Sequence, residues 1–305
     1  MTQLAIHTQR LTKRYGGVTA VDNVNLAIEH GGVYGLLGPN GAGKTSLLKM
    51  LLGMVLPSEG EGYLFGRKMD DTTGEVRQRV SFVLEPQTMY PDLKADELIR
   101  LCAGLYPAWD DERCRKLKQI FALPWNRRIR SFSKGMKTQV ALLIALSSRP
   151  RLLIADELTS ALDPIVRQTC LQLVMQEVAS GDTTVLFATH QVHEIERMAD
   201  HVGFLFNGRL IVDRSLDVLK TSSRMIQAVF LAGVPAEVRQ MEDVIRIQEE
   251  GKFCTITVSG KWEDCLERVK AAQPAHVDVM DVGLEELFIH VAQKEGYRYE
   301  PLHLD

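Results

Sequence analysis

The sequence predicts an α/β fold, with a mostly parallel sheet flanked by helices and a smaller α+β domain after it. Short apolar runs alternate with helical segments over most of residues 1–221, and this order is typical of parallel sheets. Residues 222–305 change to the order β-α-β-β-α-β-α, which is typical of a ferredoxin-like sandwich. The length of 305 residues also agrees with two domains of about 150 residues each.

The composition is that of an ordinary globular protein, with 45% hydrophobic and 25% charged residues. The net charge of −3 gives no electrostatic attraction to nucleic acid, so no nucleic-acid partner is expected. No run approaches the roughly 18 consecutive apolar residues that span a bilayer, so we expect no membrane span. The five cysteines are scattered and form no CxxC pair, which favours reduced thiols.

The stretch GVYGLLGPNGAGKTSLLKMLLG, residues 32–53, has the pattern of a phosphate-binding loop. An apolar strand precedes a glycine-rich turn that fits GxxxxGK followed by Ser or Thr, and a helix follows it. Glycines let backbone N–H groups point at phosphate oxygens, and the helix start adds partial positive charge. Lys44 is predicted to reach the β- and γ-phosphates, and Thr45 to bind Mg²⁺. The predicted phosphate-binding residues are Gly38, Pro39, Asn40, Gly41, Ala42, Gly43, Lys44, Thr45 and Ser46.

Two adjacent acids follow a short apolar run in RLLIADELTSALDP, residues 151–164. Such a run is expected of a strand buried in a parallel sheet. An acid at its carboxyl end points into the crevice where such sheets bind ligands. Asp156 is therefore predicted to hold Mg²⁺, and Glu157 to act as a base or positioner for an attacking water. Taken alone, the pair would be explained equally well as an acidic turn.

The stretch RSFSKGM, residues 130–136, reads as the start of another helix. From these residues alone, Ser133 is predicted to be a helix cap. The same start could also hold an anion, because a helix N-terminus carries partial positive charge.

With GPNGAGKTS, FSKGM and LLIADE in this order, residues 1 to about 220 resemble the nucleotide-binding subunit of an ATP-binding cassette (ABC) transporter, a P-loop ATPase. The resemblance is closest to exporter-type cassettes for antibiotic, drug or peptide efflux. It implies ATP and Mg²⁺ as cofactors, and dimerisation with a second ABC subunit, identical or different. It also implies an integral membrane permease as partner, with this chain held at the cytoplasmic face of the membrane.

The resemblance assigns further residues. FSKGM stands where the family has LSGGQ, so Ser133 and Gly135 would contact ATP held by the partner subunit. Tyr15 matches the aromatic residue that stacks on adenine, and His190 the switch histidine that contacts the γ-phosphate. Asp163 matches the acid that communicates across the dimer, and it is also expected to cap the helix that begins at Pro164.

Three positions depart from the family pattern. Glu85 stands where the family has glutamine, and Gln87 lies two residues later. Either residue could supply the metal ligand expected there, and a carboxylate would bind Mg²⁺ more strongly than an amide. Leu158 replaces a proline and Ala161 a glycine, and neither change removes a catalytic group.

The predicted nucleotide-binding domain covers residues 1–221 and contains an antiparallel β subdomain and a helical subdomain at about 90–135. In the helical subdomain, one buried helix face is predicted from Leu98, Leu101 and Leu105, and another from Leu117, Ile120 and Phe121. Residues near Met89, Tyr90 and Leu93 are candidates for contact with a permease. Residues 222–305 are expected to form a regulatory or dimer-supporting domain.

Two other functions remain open at this stage. One is a cassette that acts on ribosomes or DNA, although such proteins normally carry two ATPase units, coiled coils or zinc sites. The other is an ATP switch or sensor without a transport role, in which Glu85, Leu158 and Ala161 mark weakened turnover. A steady-state ATPase rate would distinguish the sensor from a motor.

Overall fold

A computed structural model describes residues 4–69, 74–231, 234–239, 241, 244–294 and 296. The chain divides into two compact units, Met1–Asp213 and Arg214–Asp305. The domain boundary predicted from the sequence lies at residue 221, whereas the first unit ends at Asp213. The helix Leu216–Thr221 therefore falls in the second unit. Within the described residues, no helix is long and apolar enough to cross a membrane.

The first unit contains two sheets and six helices among its described residues. Two short 3₁₀ turns, Arg77–Arg79 and Ile129–Ser131, accompany them. The elements are, in chain order, β1 (Leu4–Tyr15), β2 (Val18–Glu29), β3 (Gly32–Leu37), α1 (Lys44–Leu51), β4 (Glu59–Leu64), β5 (Arg67–Lys68), β6 (Val80–Val83), α2 (Ala95–Ala103), α3 (Asp111–Phe121), α4 (Lys134–Ser147), β7 (Leu152–Asp156), α5 (Pro164–Ala179), β8 (Thr184–Thr189), α6 (Val192–Met198), β9 (His201–Phe206) and β10 (Arg209–Ser215).

The central sheet has the order β10-β9-β3-β8-β7-β6. Strand β3 pairs in parallel with β8 and β9, and β7 pairs in parallel with β6 and β8. Every residue of β7 and β8 is buried, because helices cover both faces of a parallel sheet. The carboxyl ends of β3, β7 and β8 therefore meet at one edge, where the candidate site lies.

The antiparallel subdomain predicted near the N-terminus is confirmed. Its sheet has the order β2-β1-β4-β5. Residues of β1 and β2, including Ile6, Leu11 and Leu26, share one apolar core with α1 and the central sheet. The predicted closing hairpin also forms, with β9 and β10 joined by Asn207 and Gly208 at φ 47° and 80°. Positive φ at both positions suits a tight hairpin turn.

In the helical subdomain, two predicted buried faces are partly wrong. Leu98 is buried, but Leu101 and Leu105 are 46% and 63% exposed. Helix α2 instead buries Ala95, Leu98 and Ile99. Ala95 and Leu98 belong to a cluster with Ile129, Phe132 and Val140. Leu98 belongs to both possible apolar stripes of this helix. Only packing against Ile129, Phe132 and Val140 decides which stripe is buried.

In α3, the prediction for Ile120 is also wrong. Leu117 and Phe121 are buried as predicted, while Ile120 is 49% exposed. Asp110 caps this helix by accepting from Arg113 N at 2.9 Å. Among the candidate permease contacts, Tyr90 is 64% exposed.

The second unit contains α7 (Leu216–Thr221), β11 (Ser223–Val229), α8 (Ala236–Arg239), β12 (Val244–Glu250), β13 (Phe253–Ser259), α9 (Trp262–Ala271), β14 (His276–Asp281) and α10 (Leu284–Lys294). Its strands form a sheet in the order β12-β13-β11-β14, with every pair antiparallel. From β11 onward this is the predicted β-α-β-β-α-β-α order, with the strand arrangement of a ferredoxin-like sandwich.

Candidate nucleotide-binding site

The glycine-rich loop between β3 and α1 has a backbone that side chains would not allow. Gly41 and Gly43 have φ of 81° and 105°. A Cβ on Gly43 would lie 2.1 Å from the carbonyl oxygen of Ala20, and one on Gly38 would lie 2.5 Å from that of Leu205. The glycines therefore permit both the turn and its close approach to neighbouring strands. The loop presents the start of α1 at the edge of the central sheet.

Lys44, the first residue of α1, is buried at the base of this loop. Its Nζ donates to the carbonyl oxygens of Gly38 at 2.6 Å and Pro39 at 3.2 Å. It also lies 3.7 Å from Oε1 of Glu157. Burial lowers the pKa of Lys44, while the charges of Glu157 and Asp156 oppose that shift. The ammonium group is thus held inside the loop, beside a carboxylate.

Thr45 and Asp156 join the loop to the end of β7. Thr45 Oγ1 donates to Oδ2 of Asp156 at 2.6 Å. The other oxygen of Asp156, Oδ1, is buried and has no hydrogen-bond partner among the described residues. Burial raises the pKa of Asp156, the hydrogen bond from Thr45 lowers it, and the negative charge of Glu157 raises it again. A buried acceptor without a donor, next to a hydroxyl, fits a divalent cation with oxygen ligands.

Glu157 lies between Lys44 and His190. Its backbone has φ 50°, and its N–H donates to the carbonyl oxygen of Ala188 at 2.9 Å. His190 Nδ1 lies 2.9 Å from both Oε1 and Oε2 of Glu157. The structure therefore brings together the two residues that the sequence assigned to catalysis beside Lys44.

Glu85 lies in the loop after β6 and is held by two donors. Lys134 Nζ forms an ion pair with Oε1, and Ser160 Oγ donates to Oε2. Partial burial raises the pKa of Glu85, but the hydrogen bonds from Lys134 and Ser160 outweigh it, so the net shift is downward. Gln87, the alternative metal ligand, is half-buried.

The turn at the start of α4 packs against the turn that follows Glu157. Ser133 caps α4 by accepting from Met136 N at 3.2 Å. A Cβ on Gly135 would lie 2.7 Å from the carbonyl oxygen of Ala161. Asp163 caps α5 by accepting from the N–H groups of the two residues that follow Pro164, so this predicted cap is confirmed.

Tyr15 stands apart from this cluster. It ends β1 with its side chain 47% exposed, and Lys13 Nζ lies 5.1 Å from the centre of its ring. No hydrogen bond or ion pair among the described residues joins Tyr15 to the residues around Glu157.

Sequence reasoning missed three buried polar residues next to Glu157, namely Thr159, Thr189 and Glu194. Glu194 accepts hydrogen bonds from both threonines. The available signal was an acid among the buried apolar residues of α6, at a position that a helix would turn toward the core.

Residues 21–160 match the family model for ABC transporters. Residues 126–196 also match a model described as an AAA domain, putative AbiEii toxin of a type IV toxin–antitoxin system. The chain is 33% identical over 221 residues to the bacitracin transport ATP-binding protein BcrA of Bacillus licheniformis, covering 72% of each chain. The chain therefore belongs to the ABC transporter family, and it is an ATP-binding subunit with ATPase activity.

Further likeness extends over nearly the whole chain. The ABC transporter ATP-binding protein YtrB of Bacillus subtilis is 29% identical, over 93% of this chain and 97% of that protein. A solved dimeric structure of the ATP-binding cassette MJ0796, in a post-hydrolysis state with ADP and Pi, superposes with a TM-score of 0.62. It shares 26% identity and covers 69% of this chain and 98% of that one. The fold predicted from the three motifs is confirmed.

Proposed function

We propose that this chain dimerises with a second cassette around two MgATP and drives a separate membrane permease. The observation that carries the proposal is the cluster of Lys44, Asp156 and Glu157 with His190 at one edge of the parallel sheet. Ligands bind at this edge in α/β proteins. A permease would hold the chain at the cytoplasmic face of the membrane.

Export of an antibiotic, peptide or other small molecule is the proposed transport reaction. Relatives include a bacitracin transport ATP-binding protein and a lantibiotic transport ATP-binding protein, SrtF of Streptococcus pyogenes, which is 33% identical over 68% of this chain. The names of these relatives support transport of compounds of this kind, whereas the catalytic cluster itself contains nothing specific to a transported molecule.

Each residue of the cluster has a proposed role in hydrolysis. Lys44 and the loop N–H groups would hold the β- and γ-phosphates. Thr45 and Asp156, with Glu85 or Gln87, would hold Mg²⁺, which would neutralise charge that develops on the phosphate oxygens. Glu157 would accept a proton from, or orient, the attacking water, and His190 would steady the γ-phosphate.

A second set of residues is proposed to act across the dimer. Ser133 and Gly135 would contact the γ-phosphate of the partner's ATP, and Asp163 would contact the partner's turn. Tyr15 would stack on the adenine of the chain's own nucleotide, and its exposed ring supports this role. The second unit, β11 to α10, is proposed to support or regulate the dimer.

The test is to tag this chain, extract it from native membranes in mild detergent, and identify the proteins that copurify. We expect a multi-span membrane protein in stoichiometric amount, whose identity would narrow the range of transported compounds. Recovery from the soluble fraction alone, or with ribosomes, would contradict the transport proposal and leave an ATP-driven switch.

A further inference from the structure

A buried hydrogen-bond network lies between the turn that follows Glu157 and the loop that carries His190. Its centre is Glu194 in α6, which is 1% exposed. Thr159 donates its hydroxyl to Oε1 of Glu194, and Thr189 donates to Oε2 at 3.2 Å. Both threonines are buried, so bulk water does not compete for these bonds. The network joins the two loops that the proposed hydrolysis requires.

Burying the carboxylate of Glu194 at this position costs folding free energy. Among the residues that the structure describes, no basic side chain forms an ion pair with Glu194. Burying a carboxylate without an opposite charge costs more free energy than burying an amide of the same size. Both threonine hydroxyls donate to the carboxylate oxygens of Glu194. The directions of both hydroxyl protons are then fixed.

The direction of the Thr189 hydroxyl matters for Glu157. Thr189 Oγ1 lies 3.2 Å from Oε2 of Glu194 and 3.5 Å from Oε2 of Glu157. Gln191 N donates to the same hydroxyl oxygen at 3.1 Å. A hydroxyl has one proton, and the shorter contact to Glu194 takes it. Oε2 of Glu157 already lies 2.9 Å from His190 Nδ1. Because the Thr189 proton goes to Glu194, this oxygen keeps its second lone pair for another donor.

We infer that Glu194 is a positioning residue for ATP hydrolysis. It draws the proton of Thr189 away from Glu157, so that Oε2, which His190 also contacts, keeps a lone pair that can accept from the attacking water. Through Thr159 it also fixes the turn after Glu157 to the loop of His190. This inference rests on the proposed role of Glu157 as the base or positioner of that water.

The first test compares Glu194→Gln with the parent in steady-state ATPase assays of the full-length chain. The amide would donate to one hydroxyl, whose own proton would then turn toward another acceptor. We expect kcat to fall roughly tenfold to hundredfold, because the water and its acceptor are misaligned. We expect KM for ATP to stay within about twofold, because ground-state binding is retained.

The matched control is Glu112→Gln, the same change on the exposed face of α3, where Glu112 pairs with Lys116. This variant should keep the parental kcat. Binding of a fluorescent trinitrophenyl-ATP probe and the thermal unfolding midpoint should be measured for every variant. A folded Glu194→Gln protein that binds the probe and keeps the parental kcat would overturn the inference.

If Glu194→Gln does not fold, a second pair of variants tests the positioning role of Glu194 through Thr189. Thr189→Ser keeps the hydroxyl and should keep kcat within about threefold, whereas Thr189→Val removes the hydroxyl and should lower kcat by at least about tenfold. Equal kcat values for these two variants would also overturn the inference. If the proposed role of Glu157 itself is wrong, the result is different: Glu157→Gln would hydrolyse ATP like the parent.

Discussion

Lys134, the first residue of α4, forms an ion pair with Glu85 in the loop after β6. Ser160, three residues after Glu157, donates to the other oxygen of the same carboxylate. Glu85 therefore links the start of α4 to the turn that follows Glu157. A cation bound at Asp156 would have to compete with two donors to recruit this carboxylate.

Lys134→Gln should lower the free energy of unfolding only slightly. Lys134 is 68% exposed and Glu85 27%, and exposed ion pairs contribute less than about 1 kcal/mol. Urea denaturation of both proteins measures the change, which should shrink further at about 1 M salt, where the Debye length is about 3 Å. A loss above about 2 kcal/mol would mean that the pair is shielded from solvent more than its exposure indicates.

Glu157→Gln should bind ATP but lose turnover by about 10²- to 10⁴-fold, the usual contribution of a general base. The variant should also accumulate as an ATP-bound dimer, because the nucleotides that join the subunits are not consumed. ATPase rate and size-exclusion chromatography with MgATP test both expectations. Glu112→Gln, on the exposed face of α3, is the control and should match the parent. Parental turnover in Glu157→Gln would exclude Glu157 as the base.

Lys44→Ala should weaken ATP binding by at least about tenfold, or ~1.4 kcal/mol. The ammonium group lies inside the phosphate loop, and alanine leaves no positive charge there. Equilibrium binding of a fluorescent nucleotide measures the loss. Lys49→Ala, in the last turn of the same helix, removes the same charge further from the loop and should bind like the parent. Equal affinities of the two variants would refute the assignment of Lys44.

Gly135→Ala should destabilise the first unit by about 1–3 kcal/mol, as overpacking usually does. The added Cβ would lie 2.7 Å from the carbonyl oxygen of Ala161, so one of the two turns must move. Gly104→Ala is the matched control, because its Cβ would meet nothing closer than 3.6 Å. Thermal unfolding compares them. Equal midpoints would mean that the two turns separate at little cost.

The phosphate loop and the acid pair were predictable because each is formed by residues that are consecutive in the sequence. Gly38 to Thr45 must be glycine-rich to form the turn, and Asp156 follows a strand whose apolar run is visible in the sequence. The hairpin at Asn207–Gly208 was predictable for the same reason, since both residues tolerate positive φ.

Other features depend on residues that are distant along the chain. Which residues of α2 face the core together with Leu98 depends on Phe132 and Val140, which the periodicity of α2 does not include. Glu85 meets Lys134 and Ser160, which are 49 and 75 residues away. Glu194 meets Thr159 across 35 residues. Only the folded sheet edge brings these pairs together.

The turn from Thr159 to Asp163 has a practical consequence for protein engineering. Thr159 binds Glu194, Ser160 binds Glu85, Ala161 meets Gly135, and Asp163 caps α5. Inserting or deleting one residue here would move the following residues of the turn by one position. Each of them would then face the partner that belongs to the adjacent residue. A chimera with a related cassette should therefore exchange the turn together with its partner segments, rather than place a junction within it.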